Sequence, residues 1–200
     1  MRVHNLFPTP VAIFKLDKGL SKEESNFLLN LKTRENTGNT TSVNDKVLKR
    51  REMFKLKCFI EKCLHEYFVS VHAPNKPVKP YITQSWVNYT TKDQFHHKHA
   101  HPNSFISGVF YVKADVKKDK IHFFKDGYAQ IKLTTDNYNL YNSDSWWLEV
   151  EENSLILFPS SLTHAVEKIK TDLRVSLSFN TFLKGNFGDS EDMTGLKLEN

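Results

Sequence analysis

The sequence predicts a mainly β fold, a sandwich or barrel with helices packed against its outside. After Pro80 it contains seven short runs rich in apolar, β-branched and aromatic residues, which are separated by turn residues. Before Pro80, two stretches have apolar residues at the three- and four-residue spacing of amphipathic helices. The 200 residues include only 7 Gly and 7 Pro and are 39% hydrophobic, which is enough for one hydrophobic core. We therefore expect one domain over residues 1–200, with helical support at about 20–72 and a β core at about 80–183.

The N-terminal part is expected to form a short strand and then a helix. The run Leu6–Leu16 is apolar and favours an entry strand. Ser21 and Glu24 have the spacing of a capping box, in which each side chain accepts a hydrogen bond from the other residue's backbone N–H. The apolar stripe of this helix would consist of Phe27, Leu28 and Leu31. Residues 35–45 are polar and contain Gly, Asn and Asp, which predicts a loop.

A longer amphipathic helix is expected from about Val47 to Val71. Apolar and aromatic side chains recur there at spacings of three and four, and the prolines within His72–Pro80 end the helix. Cys58 and Cys63 lie five residues apart on it, which rotates them about 140° from each other and argues against a disulfide. Two unpaired cysteines are typical of a reducing compartment, so we expect a cytoplasmic location.

The β core is expected to hold seven strands. They are Tyr81–Tyr89, Phe105–Val112, Lys120–Phe124, Ala129–Leu133, Trp146–Val150, Ser154–Phe158 and Arg174–Leu183. The segment 113–147 contains the connections between several of them and is expected to carry the loops that determine specificity.

Charge and hydropathy argue against two classes of partner. The net charge is +5, but the lysines are scattered rather than clustered with base-stacking aromatics, which argues against a nucleic-acid partner. No run approaches the ~20 apolar residues that a membrane-spanning helix needs, and Met1–Pro10 lacks the apolar core of a secretory signal. The oligomeric state is not indicated by the sequence.

Four of the nine histidines lie within six residues, His96, His97, His99 and His101. In an extended chain the side chains alternate, so His97, His99 and His101 are expected on one side and His96 on the other. Imidazoles two residues apart on a strand can bind one metal ion. The alternative interpretation is a solvent-exposed, histidine-rich loop.

Two later segments strengthen the metal-site interpretation. His164 follows the buried strand Ser154–Phe158 and a turn, 63 residues after His101. Arg174 lies ten residues further on, at the start of the last expected strand, and Ser176 shares its face by the same alternation. A histidine pair, a distant third histidine and an Arg-x-Ser strand form a specific combination.

This combination resembles the non-haem iron, 2-oxoglutarate-dependent oxygenases, and more closely those found in phages and marine bacteria. The resemblance rests on five segments, Ser85–Asn88, His99–Tyr111, Leu157–Ser160, His164–Val166 and Arg174–Asn180. It implies a double-stranded β-helix, the cupin-like jelly roll, and a cytoplasmic enzyme, inside the host cell if the gene is carried by a phage.

The resemblance also implies roles for individual residues. His99, His101 and His164 would hold iron(II), and no catalytic residue is expected beyond these ligands. In an alternative register His97 and His99 form the pair, with His101 behind it. Arg174 and Ser176 would bind 2-oxoglutarate, because a guanidinium matches a carboxylate geometrically. The residues expected to line the pocket or fix its loops are Asn88, Asn103, Ser104, Tyr111 and Asn180.

His101 is a departure from the family pattern, in which Asp or Glu usually occupies this position. Three neutral imidazoles leave a bound metal one unit more positive, which should change its redox potential and metal preference. The competing interpretation is therefore a cupin-like metal-binding jelly roll without oxygenase activity. The prime substrate, a small molecule or a protein side chain, is not identified by the sequence.

Overall fold

The computed structural model describes residues 1–127, 131 and 133–199. The helices are α1 (Lys22–Leu29) and α2 (Phe54–His72). The strands are β1 (Ala12–Lys15), β2 (Thr33–Asn36), β3 (Asn39–Ser42), β4 (Val78–Thr91), β5 (His96–His99), β6 (Ile106–Lys113), β7 (Lys120–Phe124), β8 (Ser145–Glu149), β9 (Ser154–Pro159), β10 (His164–Val166), β11 (Leu173–Phe187) and β12 (Leu196–Leu198). Most of the strand expected at Ala129–Leu133 lies outside the described residues.

Two antiparallel sheets form the β core. The major sheet has the order β1-β9-β6-β11-β4-β3-β2, with β12 paired to the end of β11, and the minor sheet has the order β5-β10-β7-β8. From β4 to β11 the chain passes back and forth between the two sheets, which is the winding of a double-stranded β-helix. The expected mainly β, jelly-roll fold is confirmed.

The side-chain alternation of β11 separates two environments. Val175, Leu177 and Phe179 are fully buried in the core that the major sheet forms with α2. Arg174 and Ser176 lie on the opposite face of β11 and are also buried. A second apolar cluster, which includes Tyr111, Phe123 and Phe158, fills the space between the sheets. The polar residues of β11 therefore project into an interior, not into solvent.

The N-terminal helix α1 begins at the capping box predicted from the sequence, whereas the longer helix α2 agrees with its prediction only in part. Glu24 N–H donates to Ser21 Oγ (3.2 Å), and Ser21 N–H donates to Glu24 Oε2 (2.9 Å), so the capping box is present. The expected start of the long helix at Val47 is wrong, because two 3-10 turns precede Phe54. Leu48 N–H donates to Ser85 Oγ of β4 (2.9 Å), an interaction that diverts this stretch from a regular helix. In the part of the chain that the structure describes, no helix is both long enough and apolar enough to cross a bilayer.

The loop expected at residues 35–45 is wrong, because β2 and β3 form a hairpin there that extends the major sheet. Gly38 has a φ of 86°, which a tight turn requires and other residues rarely adopt. The polar side chains of β3 bond to β4: Thr41 Oγ1 donates to the Val87 carbonyl (3.2 Å) and Asn39 Nδ2 to Thr90 Oγ1 (3.3 Å). The polar composition of β3 therefore did not predict a strand, because the hydrogen bonds of its side chains are made with the neighbouring strand β4.

The other strands agree with expectation within a few residues, except that β5, β10 and β12 had not been expected. The entry strand is shorter than Leu6–Leu16 and pairs with β9. Lys120–Phe124 has the expected bounds, whereas β11 continues to Phe187. Short strands such as the three-residue β10 lack the length for a readable alternation.

Gly108 on β6 offers a test of the core packing. A Cβ added there would lie 2.8 Å from Leu157 Cδ2 and still closer to the ring of Phe179. We expect Gly108→Ala to lower the free energy of unfolding by about 1–3 kcal/mol, because overpacking a dense core forces its neighbours to shift. Urea unfolding measures this change, and a variant as stable as the wild type would contradict the packing described.

Candidate metal and cosubstrate site

A β-bulge positions the histidine cluster. His99 pairs with His164 of β10 and His96 pairs with Val166, so three steps along β5 match two steps along β10. The bulge places His96 on the same face as His99, and their rings stack with centroids 4.8 Å apart. The ring of His97 lies 5.2 Å from that of His96. The expectation that His96 points away from the other histidines is therefore wrong.

His99, His101 and His164 converge on one point. The His164 ring centroid lies 4.4 Å from that of His99 and 5.1 Å from that of His101. The Nε2 atoms of His101 and His164 are 3.3 Å apart. One ring nitrogen from each of the three lies within 4.8 Å of the others, a spacing that one metal ion could occupy.

Backbone carbonyls orient two of these rings. His99 Nδ1 lies 2.7 Å from the His97 carbonyl oxygen, and His164 Nδ1 lies 3.0 Å from the Leu162 carbonyl oxygen. Because a carbonyl only accepts, each Nδ1 carries the proton and each Nε2 keeps its lone pair. This is the arrangement in which a histidine binds a metal through Nε2.

Burial favours the neutral form of all three rings. Burial lowers the pKa of His164 to about 3 and of His101 to about 4, and the neighbouring imidazoles act in the same direction. Burial also lowers the pKa of His99. A metal ion would therefore not have to compete with a second proton on these rings.

A network of buried hydroxyls supports His101, which lies just beyond β5. His101 N–H donates to the Ser160 carbonyl (2.9 Å). Ser160 Oγ lies 2.7 Å from Ser104 Oγ and 2.8 Å from Ser107 Oγ. Ser107 Oγ donates to Asn180 Oδ1 (2.9 Å), so Asn180 belongs to this network. Ser104 was expected near the pocket, whereas Ser107 and Ser160 were not identified from the sequence, although they lie within two segments of the family resemblance.

Two other residues frame the outer side of His101. Asn103 is exposed in the following turn and has a φ of 55°, a conformation that asparagine tolerates. Trp86 of β4 is partly exposed, and its ring lies 5.8 Å from that of His101.

Arg174 is a buried cation without an anion. Its side chain forms no ion pair with any carboxylate in the part of the chain that the structure describes, and its buried Nε has no hydrogen-bond partner. Its Nη2 donates to Tyr111 Oη (3.4 Å), and the guanidinium lies 5.2 Å from the centroid of that ring. Burial raises the pKa of Tyr111, so its phenol is neutral. An isolated buried charge is costly, which suggests that an anion belongs beside Arg174.

Polar residues of three strands surround this guanidinium. Ser176 on β11 pairs with Asn88 of β4 on one side and with Tyr111 of β6 on the other. Asn88 Nδ2 donates to Ser178 Oγ (3.2 Å), whereas its buried Oδ1 has no partner. Asn88, Tyr111, Arg174 and Ser176 thus lie on one buried face of the major sheet, and the interior beside this face is here called the anion chamber.

Comparisons with known proteins agree with this geometry. Residues 84–180 match the family described as "Putative 2OG-Fe(II) oxygenase". No curated protein sequence matches the chain. Solved structures are similar at low identity. A 2OG-Fe(II) oxygenase family oxidoreductase from Burkholderia pseudomallei has a TM-score of 0.59 and 12% identity, over 86% of this chain and 83% of that one.

Two further structures have the same fold. HygX from Streptomyces hygroscopicus, solved with nickel, 2-oxoglutarate and hygromycin B bound, has a TM-score of 0.58 and 14% identity over 86% of this chain and 82% of its own. A prolyl-4-hydroxylase from Pseudomonas putida has a TM-score of 0.53 and 12% identity, over 86% and 92%. The matched segment contains the histidine cluster and Arg174, so this part of the chain is similar to the 2-oxoglutarate/iron(II)-dependent oxygenases.

Proposed function

We propose that this protein is an oxygenase that holds iron(II) with His99, His101 and His164 and 2-oxoglutarate with Arg174 and Ser176. We propose further that it hydroxylates a C–H bond of a separate substrate. The observation that carries the proposal is the buried, anion-free Arg174 in the same inter-sheet space as three neutral, convergent imidazoles. A metal-binding jelly roll without oxygenase activity does not need a buried guanidinium to bind a second, anionic ligand. Arg174 therefore favours the oxygenase over this alternative.

The side chains of the site fit both iron(II) and 2-oxoglutarate. Two of the three imidazoles have their protons directed at carbonyl oxygens, which leaves Nε2 lone pairs for a cation. The unpartnered Arg174 Nε fits a carboxylate, which accepts two parallel bonds from a guanidinium. When bound, iron(II) with 2-oxoglutarate and oxygen supplies the oxidising power for hydroxylation, as the keto acid loses CO₂ and becomes succinate.

The anion chamber fixes the orientation of the keto acid. Arg174 would grip the carboxylate farther from the metal, and the Ser176 hydroxyl would donate to the same group. The bond from Arg174 Nη2 occupies one lone pair of Tyr111 Oη, which leaves the phenolic O–H free to donate as well. His101 in place of a carboxylate leaves the protein ligands without charge, so the bound keto acid would supply the only anionic ligands.

Asn88 is proposed to supply a further hydrogen-bond donor to the anion chamber when its side-chain amide rotates by 180°, which exchanges the positions of Oδ1 and Nδ2. A side-chain amide has nearly the same shape in either orientation. In the turned state Ser178 Oγ–H donates to Asn88 Oδ1, and Asn88 Nδ2 faces the chamber as a donor. Both Asn88 atoms are then satisfied once a carboxylate is bound, whereas the present orientation leaves Oδ1 orphaned.

Asn88→Asp tests this assignment, because it replaces a donor by an anion of the same shape. We expect the Kd for 2-oxoglutarate to rise at least about tenfold, since a hydrogen bond to a charged group contributes about 1.5–3 kcal/mol. Calorimetric titration of the anaerobic iron(II) protein measures it. Asn180→Asp is the matched control, because this buried asparagine bonds to Ser107 on the same sheet face. Equal Kd values for the two variants would contradict the assignment.

The substrate class and cellular setting are also proposed. The solved relatives include one with hygromycin B bound and a Trichoplax adhaerens prolyl hydroxylase with a peptide bound, which supports a small molecule or a protein side chain as prime substrate. The free Cys58 and Cys63 support a cytoplasmic location, in the host cell if the gene is phage-borne. Residues 1–200 would act as one domain.

The proposed function is tested by turnover without a prime substrate. Iron(II)-loaded protein incubated with 2-oxoglutarate and oxygen is expected to form succinate in amounts equal to the keto acid consumed, and to form none in the absence of iron or oxygen. Protein that binds iron but neither binds 2-oxoglutarate nor forms succinate would contradict the proposal and favour the jelly-roll alternative.

A further inference from the structure

His96, His97 and His99 form a second group of three neighbouring imidazoles. The ring centroids of His97 and His99 are 4.7 Å apart, those of His96 and His99 are 4.8 Å apart, and those of His96 and His97 are 5.2 Å apart. One ring nitrogen from each lies within 4.8 Å of the others. The bulge in β5 creates this group, because regular alternation would have turned His96 away.

His97 supplies an independent indication that a ligand belongs here. Its Nδ1 is buried and has no hydrogen-bond partner. Buried polar atoms without a partner are rare in proteins and call for an unseen ion or water. No role in the His99, His101 and His164 triad accounts for this nitrogen.

We infer that His96, His97 and His99 form a second position for a divalent transition-metal ion, and that this position and the iron position exclude each other because both need His99. His99 Nδ1 is bonded to the His97 carbonyl, so only Nε2 can bind a metal. A single Nε2 lone pair serves one ion at a time. An ion in the second position therefore leaves the iron position with only His101 and His164.

The ligand set indicates which ions would bind. It consists of imidazoles alone, and imidazole suits iron, zinc, copper and nickel, whereas magnesium, calcium and manganese prefer oxygen ligands. Any of these four ions that occupies the second position would therefore leave the protein without a complete iron site. The inference rests on the proposed function only through the shared His99.

Metal titration of two double variants tests the inference. His101→Ala/His164→Ala removes the iron position and keeps the second triad, and His96→Ala/His97→Ala does the reverse. Cobalt(II) is the probe, because its visible spectrum reports on imidazole coordination and zinc can displace it. We expect one cobalt ion per chain in the wild type and in each double variant, with different spectra for the two variants, and none in the quadruple variant.

Each other outcome has one meaning. A folded His101→Ala/His164→Ala protein that binds no cobalt, or a wild type that binds two ions, overturns the second position or its exclusive use of His99. A folded His96→Ala/His97→Ala protein that binds no metal instead overturns the ligand set of the proposed function. If the first variant does not fold, NMR of ¹⁵N-histidine in zinc-loaded His164→Ala decides, because that variant lacks a complete iron position: the inference requires that the His97 ring signals shift, and unshifted signals overturn it.

Discussion

Replacing Arg174 by alanine is expected to raise the Kd for 2-oxoglutarate at least about 100-fold and to leave metal affinity within about twofold of the wild type. Two charge-assisted hydrogen bonds contribute about 1.5–3 kcal/mol each, and their loss corresponds to at least this factor. The metal should still bind, because Arg174 lies on β11 and the three imidazoles lie on or beside β5 and β10. Calorimetry with iron(II), and then with 2-oxoglutarate, separates the two affinities.

Two further variants at position 174 distinguish binding from structure. Arg174→Lys keeps the charge but loses the planar fork, so its Kd should lie between those of the wild type and the alanine variant. Arg174→Met removes an unpaired buried charge, and its free energy of unfolding without ligand should be no lower than that of the wild type. An alanine variant that binds 2-oxoglutarate normally would show that this guanidinium does not hold the cosubstrate.

Replacing His164 by alanine is expected to reduce iron-dependent succinate formation at least about 100-fold. Even partners behind the ligands cost 10- to 100-fold when they are lost, so removal of a ligand should cost more. The ring of His164 contacts those of both His99 and His101, as each member of the triad contacts the other two. Succinate formation at saturating iron and 2-oxoglutarate measures the loss.

His122 provides the matched control for His164. It lies on the neighbouring strand β7, opposite Ala165, and therefore on the other face of the minor sheet. Its ring contacts Trp147 and pairs weakly with Glu167 (3.8 Å). His122→Ala should keep succinate formation within about twofold of the wild type, because an ion pair with an exposed partner contributes little free energy. If both variants retained activity, His164 would not be a ligand.

Much of the site could be predicted because its parts obey local rules. The alternation along a strand put Arg174 and Ser176 on one face, and that face is buried as expected. The capping box at Ser21 depends on only four residues, and its hydrogen bonds are present. The fold class followed from the run of short strands after Pro80.

The remaining features depend on interactions between distant segments. The β5 bulge arises from pairing with β10, about 65 residues later, and nothing in the sequence His96–His99 marks the extra residue. The hydroxyl network under His101 joins Ser104 to Ser160, which are 56 residues apart. Polar residues on β3 predicted a loop because their partners on β4 could not be identified from the sequence.

The central claim is that three imidazoles and one guanidinium hold iron(II) and 2-oxoglutarate in the space between the two sheets. Anaerobic titration of the iron(II)-loaded wild type with 2-oxoglutarate tests it most directly. We predict a weak visible charge-transfer band that saturates at one keto acid per iron and is absent in Arg174→Ala at the same concentrations. Iron that binds with no band at any concentration of keto acid, or a band that persists unchanged without Arg174, would contradict it.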